Sequence, residues 1–123
     1  MIHEARWEKE MEIMRTKFPW FTPFETTTGY IGFCGYLKGP RSKRLFQVLM
    51  KIPARLYPER EPPIYIEPKL TPMWWRPDDV NGNPEGRLCY HRNGTRNEIP
   101  WQPINTFANV LGFAVQYIQE FDR

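Results

Sequence analysis

Leu45-Phe46-Gln47-Val48-Leu49-Met50-Lys51-Ile52 is the stretch whose reading decides the fold. Phe46, Val48, Met50 and Ile52 alternate along it, and strand side chains two apart share a face. Leu45 and Leu49 point the other way beside Gln47 and Lys51, the pattern of a strand covered mostly on one side. Upstream, Tyr30-Ile31-Gly32-Phe33-Cys34-Gly35-Tyr36-Leu37 reads as another strand, connected through the charged turn chemistry of Lys38-Gly39-Pro40-Arg41-Ser42-Lys43. Before that, Phe24-Glu25-Thr26-Thr27-Thr28 is a short β-branched run closed by Gly29. Ile64-Tyr65-Ile66 follows a proline-rich stretch at 58–63. Four strands joined by short turns, with no helix between them, predict an antiparallel meander.

Helical spacing flanks the meander. Trp7, Met11, Met14 and Phe18 recur at steps of four, three and four, predicting an amphipathic helix over 2–18 that Pro19 ends. Glu4, Glu8, Lys9, Glu10 and Glu12 fill the rest of its surface. Phe107, Leu111, Ala114, Ile118 and Phe121 predict a second helix, capped by Asn105 or Thr106. Between the fourth strand and this helix, 68–103 shows no periodicity and is rich in proline and glycine. A loop of that length inside a compact domain is usually functional. The expected architecture is an α+β sandwich in one domain spanning 1–123: helix, four-stranded antiparallel meander, long loop, helix.

With 123 residues, 41% hydrophobic and 15% aromatic, the chain can build one real core, and the aromatics set it apart from a disordered polymer. No apolar run approaches the roughly 20 residues of a membrane span. Met1-Ile2-His3-Glu4-Ala5-Arg6-Trp7 opens a charged, amphipathic segment without a signal peptide's apolar centre, so a cytoplasmic location is expected. The net charge of +3 is mild and the charges are mixed along the sequence, so the bias alone decides nothing, and a nucleic-acid partner is not expected. Two cysteines and two histidines, with no Cys-x-x-Cys pair, give no basis for a metal site, and no cofactor is expected.

Three features could carry chemistry. Cys89 lies in Gly86-Arg87-Leu88-Cys89-Tyr90-His91, within the irregular segment. Arg87 and His91 could stabilise a thiolate, and if 87–91 is extended all three side chains share a face. A buried structural cysteine is the commoner fate of such a residue, and the local sequence leaves both readings open. Cys34, between Phe33 and Gly35 in a strand, reads as a packed core or near-core thiol. Trp74-Trp75-Arg76, His91-Arg92 with Arg96, and Trp101 could stack single-stranded nucleic acid. The favoured alternative is that the tryptophans wedge a long loop onto the core, since Asp78, Asp79 and Glu85 dilute the cations.

Taken together, these segments resemble the ubiquitin-conjugating enzyme (UBC-like) fold. Gly35-Tyr36-Leu37-Lys38-Gly39-Pro40 resembles the family's glycine-proline turn, and Phe46-Gln47-Val48-Leu49-Met50-Lys51-Ile52-Pro53 its third strand. Tyr57-Pro58 with Pro62-Pro63-Ile64-Tyr65-Ile66 resembles its Tyr-Pro, Pro-Pro and fourth-strand signature. Gly86-Arg87-Leu88-Cys89 is similar to the family's Gly-x-aliphatic-Cys, and Trp101-Gln102-Pro103 with Thr106 to the Trp-x-Pro and Thr that open the next helix. Each piece is short, and their order along nearly the whole chain gives the resemblance its weight.

The resemblance implies that Cys89 is a catalytic nucleophile carrying a protein C-terminus as a thioester, with 68–103 as the active-site loop. Two departures accompany it. The family's His-Pro-Asn is replaced by Arg76-Pro77-Asp78, and one helix, rather than three, follows the cysteine. An aspartate is a poor oxyanion donor, so that role does not transfer to Asp78. Asp78 and Asn81 are the residues implied for loop or oxyanion support, and His91 is expected to orient or deprotonate the incoming amine. Arg6, Lys9 and Arg15 on the first helix would form either the docking face for an activating, adenylating enzyme or an ordinary solvated helix face. These departures resemble divergent prokaryotic members found in ubiquitin-like conjugation or antiphage operons. The implied cargo is a ubiquitin-like protein or the C-terminus of a nucleotidyltransferase in cyclic-oligonucleotide signalling. A non-catalytic adaptor of the same fold and a single-strand nucleic-acid binder are the alternatives.

Overall fold

The computed structural model describes residues 4–68, 81 and 101–122 in full, and the backbone of 75–78 and 83–88. It is an α+β domain. Helix α1 (Glu4–Lys17) leads into strands β1 (Thr22–Glu25), β2 (Tyr30–Lys38), β3 (Leu45–Pro53) and β4 (Ile64–Glu67), with a single 3-10 turn (Ala54–Leu56) after β3. A hairpin of β5 (Trp75–Asp78) and β6 (Asn83–Leu88) follows, and α2 (Phe107–Phe121) comes last. Strands β1 to β4 form one antiparallel sheet in chain order, and β5 and β6 pair separately.

The alternation in β3 works as its sequence requires. Phe46, Val48, Met50 and Ile52 are all 0% exposed, whereas Leu45 and Gln47 face solvent. Ile31, Phe33, Leu37, Ile64 and Ile66 lie on the same inner face, which the register with β3 demands. Trp7 and Met14 of α1 and Phe107, Val110, Leu111, Ala114 and Ile118 of α2 complete a single core against it. Phe107 centres an aromatic cluster, its ring 5.1 Å from Phe33, 6.1 Å from Trp7 and 4.7 Å from Tyr57. Such tilted and edge-on pairs add to simple area burial.

Three elements differ from the sequence reading. The first strand covers 22–25 rather than 24–28, because Thr26 and Thr28 build a turn instead. Thr26 Oγ1 accepts from the Tyr30 amide at 3.0 Å, and Gly29 takes a positive φ of 90°. Local hydroxyl-to-backbone bonding of this kind competes with strand pairing. Glu10, expected on the solvated side of α1, is completely buried. The segment 68–103, expected to be loop, contains the β5–β6 hairpin. Pro77, Pro84 and Gly86 interrupt any alternation there, so hydrophobic periodicity carries no sign of it.

The far end of α2 is tied to the β2–β3 turn. Asp122 follows the helix, is fully buried, and accepts through Oδ2 from the Arg41 amide at 2.8 Å and the Ser42 amide at 2.9 Å. The Arg41 guanidinium returns the contact to the Asp122 carbonyl at 3.3 Å. Gly39 permits this approach, since a Cβ there would stand 2.5 Å from Asp122 Oδ2. Burial pushes the Asp122 carboxyl up, but the Ser42 and Arg41 hydrogen bonds and the Arg44 charge outweigh it and hold the group below its ordinary value.

A carboxylate with a depressed folded value stabilises above its unfolded pKa, and that stability is lost as pH falls through the folded value. Thermal melts of Asp122→Asn should therefore lie below wild type at neutral pH. The gap should begin to narrow near pH ~4, the ordinary aspartate range, and close further down. Gly39→Ala should also lower the melting temperature. A gap that stays constant through the acid range would show that the charge contributes nothing.

Candidate functional site

Of the segment from 69 to 100 the structure describes Asn81 and the backbone of β5 and β6, and both Asn81 and Trp101, just after it, make specific polar contacts with the rest of the domain. Within the segment, Trp75 pairs with Leu88, Arg76 with Arg87 and Asp78 with Asn83. The register shifts between Arg76 and Asp78, where Pro77 has no amide to give to the ladder. Asn81 lies in the connection between these strands. Its Nδ2 donates to the Lys51 carbonyl of β3 and to the Tyr65 hydroxyl of β4, both at 2.9 Å. One amide thus spans two strands of the main sheet and fastens the hairpin turn to them.

At the returning end, the Trp101 indole donates to the Pro58 carbonyl at 2.7 Å, with its ring 6.1 Å from Tyr57. This tryptophan wedges the chain onto the core, as the sequence suggested for the loop tryptophans. Arg6 Nη1 then donates to the Pro103 carbonyl at 2.7 Å, and Nη2 to the Asn105 carbonyl at 2.6 Å. The same guanidinium reaches Tyr57 Oη at 3.1 Å and, through Nε, Glu10 at 2.9 Å.

Glu10 is the centre of this knot. Its Oε2 accepts from Arg6 and from the Tyr57 hydroxyl, and its Oε1 accepts from the Phe107 amide at 3.0 Å. Phe107 is the first residue of α2, so a carboxylate from α1 sits where the helix dipole and an unpaired amide both favour negative charge. Thr106 completes the start with a capping box, exchanging hydrogen bonds with Asn109. Burial and the Glu10 charge push the Tyr57 phenol far up, so it stays a donor.

The expected site residues fare differently. Cys89 and His91 lie outside the described residues; Cys89 directly follows Leu88, the last residue of β6. Asp78 ends β5 opposite Asn83, and only its backbone is described. Asn81 is a loop tether by its contacts. Arg6, assigned to a docking face, instead spends its donors inside the protein, because the chain entering α2 presents carbonyls that need them. Lys9 remains exposed, and exposed Arg15 pairs with Glu12 at 2.6 Å, a surface bridge of small energetic weight. Cys34 is half-buried on the sheet face away from the helices. Trp74, Arg92 and Arg96 lie outside the described residues, and Trp75 is described by its backbone alone.

Sequence reasoning missed Glu10 and the structural role of Tyr57, although a signal existed. Glu10 stands three residues after Trp7 and four before Met14, within the apolar stripe of α1. A charged residue at that spacing marks a buried partner elsewhere in the fold. Among the described residues no cluster of His, Cys, Asp and Glu could hold a metal ion, and no helix is long and apolar enough to cross a membrane. The class the fold defines is a small α+β domain with two helices on one face of a four-stranded antiparallel sheet. No family model, curated protein or solved structure matches the chain.

Removing the Glu10 carboxylate leaves Arg6, Tyr57 and the Phe107 amide without their acceptor. Glu10→Ala should cost about 3–5 kcal/mol in urea unfolding, the scale for breaking a buried pair. Tyr57→Phe should cost about 1.5–3 kcal/mol, the scale of one hydrogen bond to a charged group. Equal, small losses in both variants would mean that the knot does not hold the two helices together.

Proposed function

We propose that this chain is a ubiquitin-conjugating-like acyltransferase that carries a protein C-terminus on Cys89. The observation that carries the reading is the collinear series of family-like segments, from the Gly39-Pro40 turn through Gly86-Arg87-Leu88-Cys89 to Trp101-Gln102-Pro103. The order of helix, antiparallel meander and closing helix is compatible with it. So is the tether of Asn81, which gives the segment before Cys89 a fixed support where the family uses an asparagine nearby.

The chemistry is two acyl transfers. The Cys89 thiolate attacks the activated carboxyl carbon of the cargo, the C–S bond forms and the activating group leaves. A lysine amine of the target then attacks the thioester carbon. The C–N bond forms, the C–S bond breaks, and the thiolate is regenerated. The amine must lose its proton in this step, and His91 is the residue assigned to take it. An adenylating enzyme supplies the activated carboxyl, and the cargo is a ubiquitin-like protein or a nucleotidyltransferase tail, as in cytoplasmic antiphage signalling. Asp78 has no assigned oxyanion role, and Lys9 and Arg15 remain the candidates for docking the activating partner.

The test is recovery of Cys89→Ser or Cys89→Lys protein from its native host, read on non-reducing gels and by mass spectrometry. An ester or amide joining residue 89 to the C-terminal residue of another protein is the expected result. A non-covalent partner recovered equally by wild type and variant would mean an adaptor instead. With transfer established, Asn81→Ala should slow it roughly tenfold or more in protein that thermal melts show to be folded, given the cost of misplacing a reacting group. His91→Ala should slow discharge to amines while leaving thioester formation intact; an unchanged discharge rate removes His91 from the mechanism.

A further inference from the structure

The charges are mixed over the whole chain but not in the middle of it. Residues 26–58 contain six Lys and Arg and no Asp or Glu, although the chain has 17 cations and 14 acidic residues. The fold gathers four of those cations, Lys38, Arg41, Lys43 and Arg44, at the turn that joins the two central strands. All four are exposed and among the described residues none forms a salt bridge, while Arg41 donates to the Asp122 carbonyl, Lys43 to the Pro40 carbonyl and Arg44 lies over the Phe46 ring at 5.2 Å. The carboxylate nearest the turn, Asp122, is buried with Oδ2 committed to the Arg41 and Ser42 amides. Glu67 is the one acidic residue on the outer face of β2–β4, two strands away from Tyr36.

Aromatic rings stand beside this charge. Trp20 is 55% exposed and Tyr36 is 51% exposed, and the Trp20 indole donates to the Tyr36 carbonyl at 2.7 Å, which holds the two together. Phe18 and Phe21 brace Trp20 from behind, at 5.8 and 6.2 Å between ring centroids. Tyr36 and Lys38 share the outer face of β2, two residues apart, so their Cα atoms stand about 7 Å apart along the strand.

We propose that this end of the sheet binds single-stranded nucleic acid, with bases stacking on Trp20 and Tyr36 and phosphates taken by Lys38, Arg41, Lys43 and Arg44. Flat rings interleaved with cations are the elements of sequence-tolerant single-strand binding. An acidic peptide fits the surface less well. The recess beside Lys38 is lined by Leu37, Pro40, Val115, Ile118 and Gln119 and by neither Trp20 nor Tyr36, and the neighbouring edge strand β1 carries Pro23, which has no amide for an added strand. The inference is independent of the chemistry assigned to Cys89.

The experiment is fluorescence anisotropy with the full chain and a short labelled oligothymidylate. Binding should weaken with salt at a log–log slope of roughly −2 to −3, the release expected for three or four phosphate contacts. Tyr36→Ala and Trp20→Ala should each weaken binding roughly tenfold with the slope preserved, the scale of one stacked base. Lys43→Asn with Arg44→Gln should flatten the slope; asparagine tolerates the positive φ of 63° at position 43. Thermal melts check that each variant is folded. The proposal is overturned if no binding occurs at low salt, or if duplex binds as well as single strand. Equal competition by polyglutamate would overturn it in favour of an acidic protein partner. Loss confined to Trp74→Ala and Trp75→Ala would place binding on another surface.

Discussion

The Glu10 carboxylate is the constraint on which the arrangement of this domain depends. It is completely buried, and a buried charge is tolerated only when its oxygens are satisfied. Here the donors come from different parts of the chain: Arg6 in α1, Tyr57 after the 3-10 turn and the Phe107 amide at the start of α2. Each donor brings its own element to a fixed place. Arg6 passes the constraint on, because its remaining hydrogens hold the Pro103 and Asn105 carbonyls and so set the path into α2. Hydrophobic packing alone would let α2 slide along the sheet, since Leu111, Ala114 and Ile118 present a similar apolar surface at every turn. The buried acid and the Thr106–Asn109 capping box remove that freedom.

What was legible in the sequence follows the same division. The alternation of Phe46, Val48, Met50 and Ile52 and the spacing of Phe107, Leu111, Ala114 and Ile118 are repeated signals, and each describes a surface that a whole element buries. Such signals average over many residues and survive exceptions. Glu10 is a single exception inside a stripe, and its meaning depends on a residue 97 positions away, which no local window contains. The hairpin was hidden for a different reason. Its strands carry Pro77, Pro84 and Gly86, so they lack the propensity and the alternation on which strand recognition rests. The candidate nucleophile was found through the order of short motifs, and the tether at Asn81 became visible as a contact only once β3 and β4 were in place.

The two proposed surfaces are set apart along β3. Asn81 attaches at the Lys51 carbonyl, while the basic turn ends at Arg44, a separation of seven residues or roughly 23 Å of extended strand. The inner face of the sheet is committed to the helices, so a partner reaches the sheet itself at the hairpin, at the turn end or on the outer face, and α1 from its solvent side. Cations outnumber acids at the turn, whereas α1 carries both signs close together. The net charge of +3 conceals this contrast, and it is the local field that a charged partner meets first.

The contact between Glu10 and Phe107 also bears on how the chain acquires its structure. Contacts of such long sequence separation form late and slow the search, because loop entropy must be lost before they contribute. During synthesis, α1 and the meander emerge well before α2, and until α2 arrives the inner face of the sheet has lost much of its cover. A nascent chain therefore holds Phe33, Met50 and Ile64 partly open to water, with a buried-to-be carboxylate still hydrated, and it closes only once α2 has been made. One helix completes the core of this domain, and its place after the meander sets when the sheet is covered.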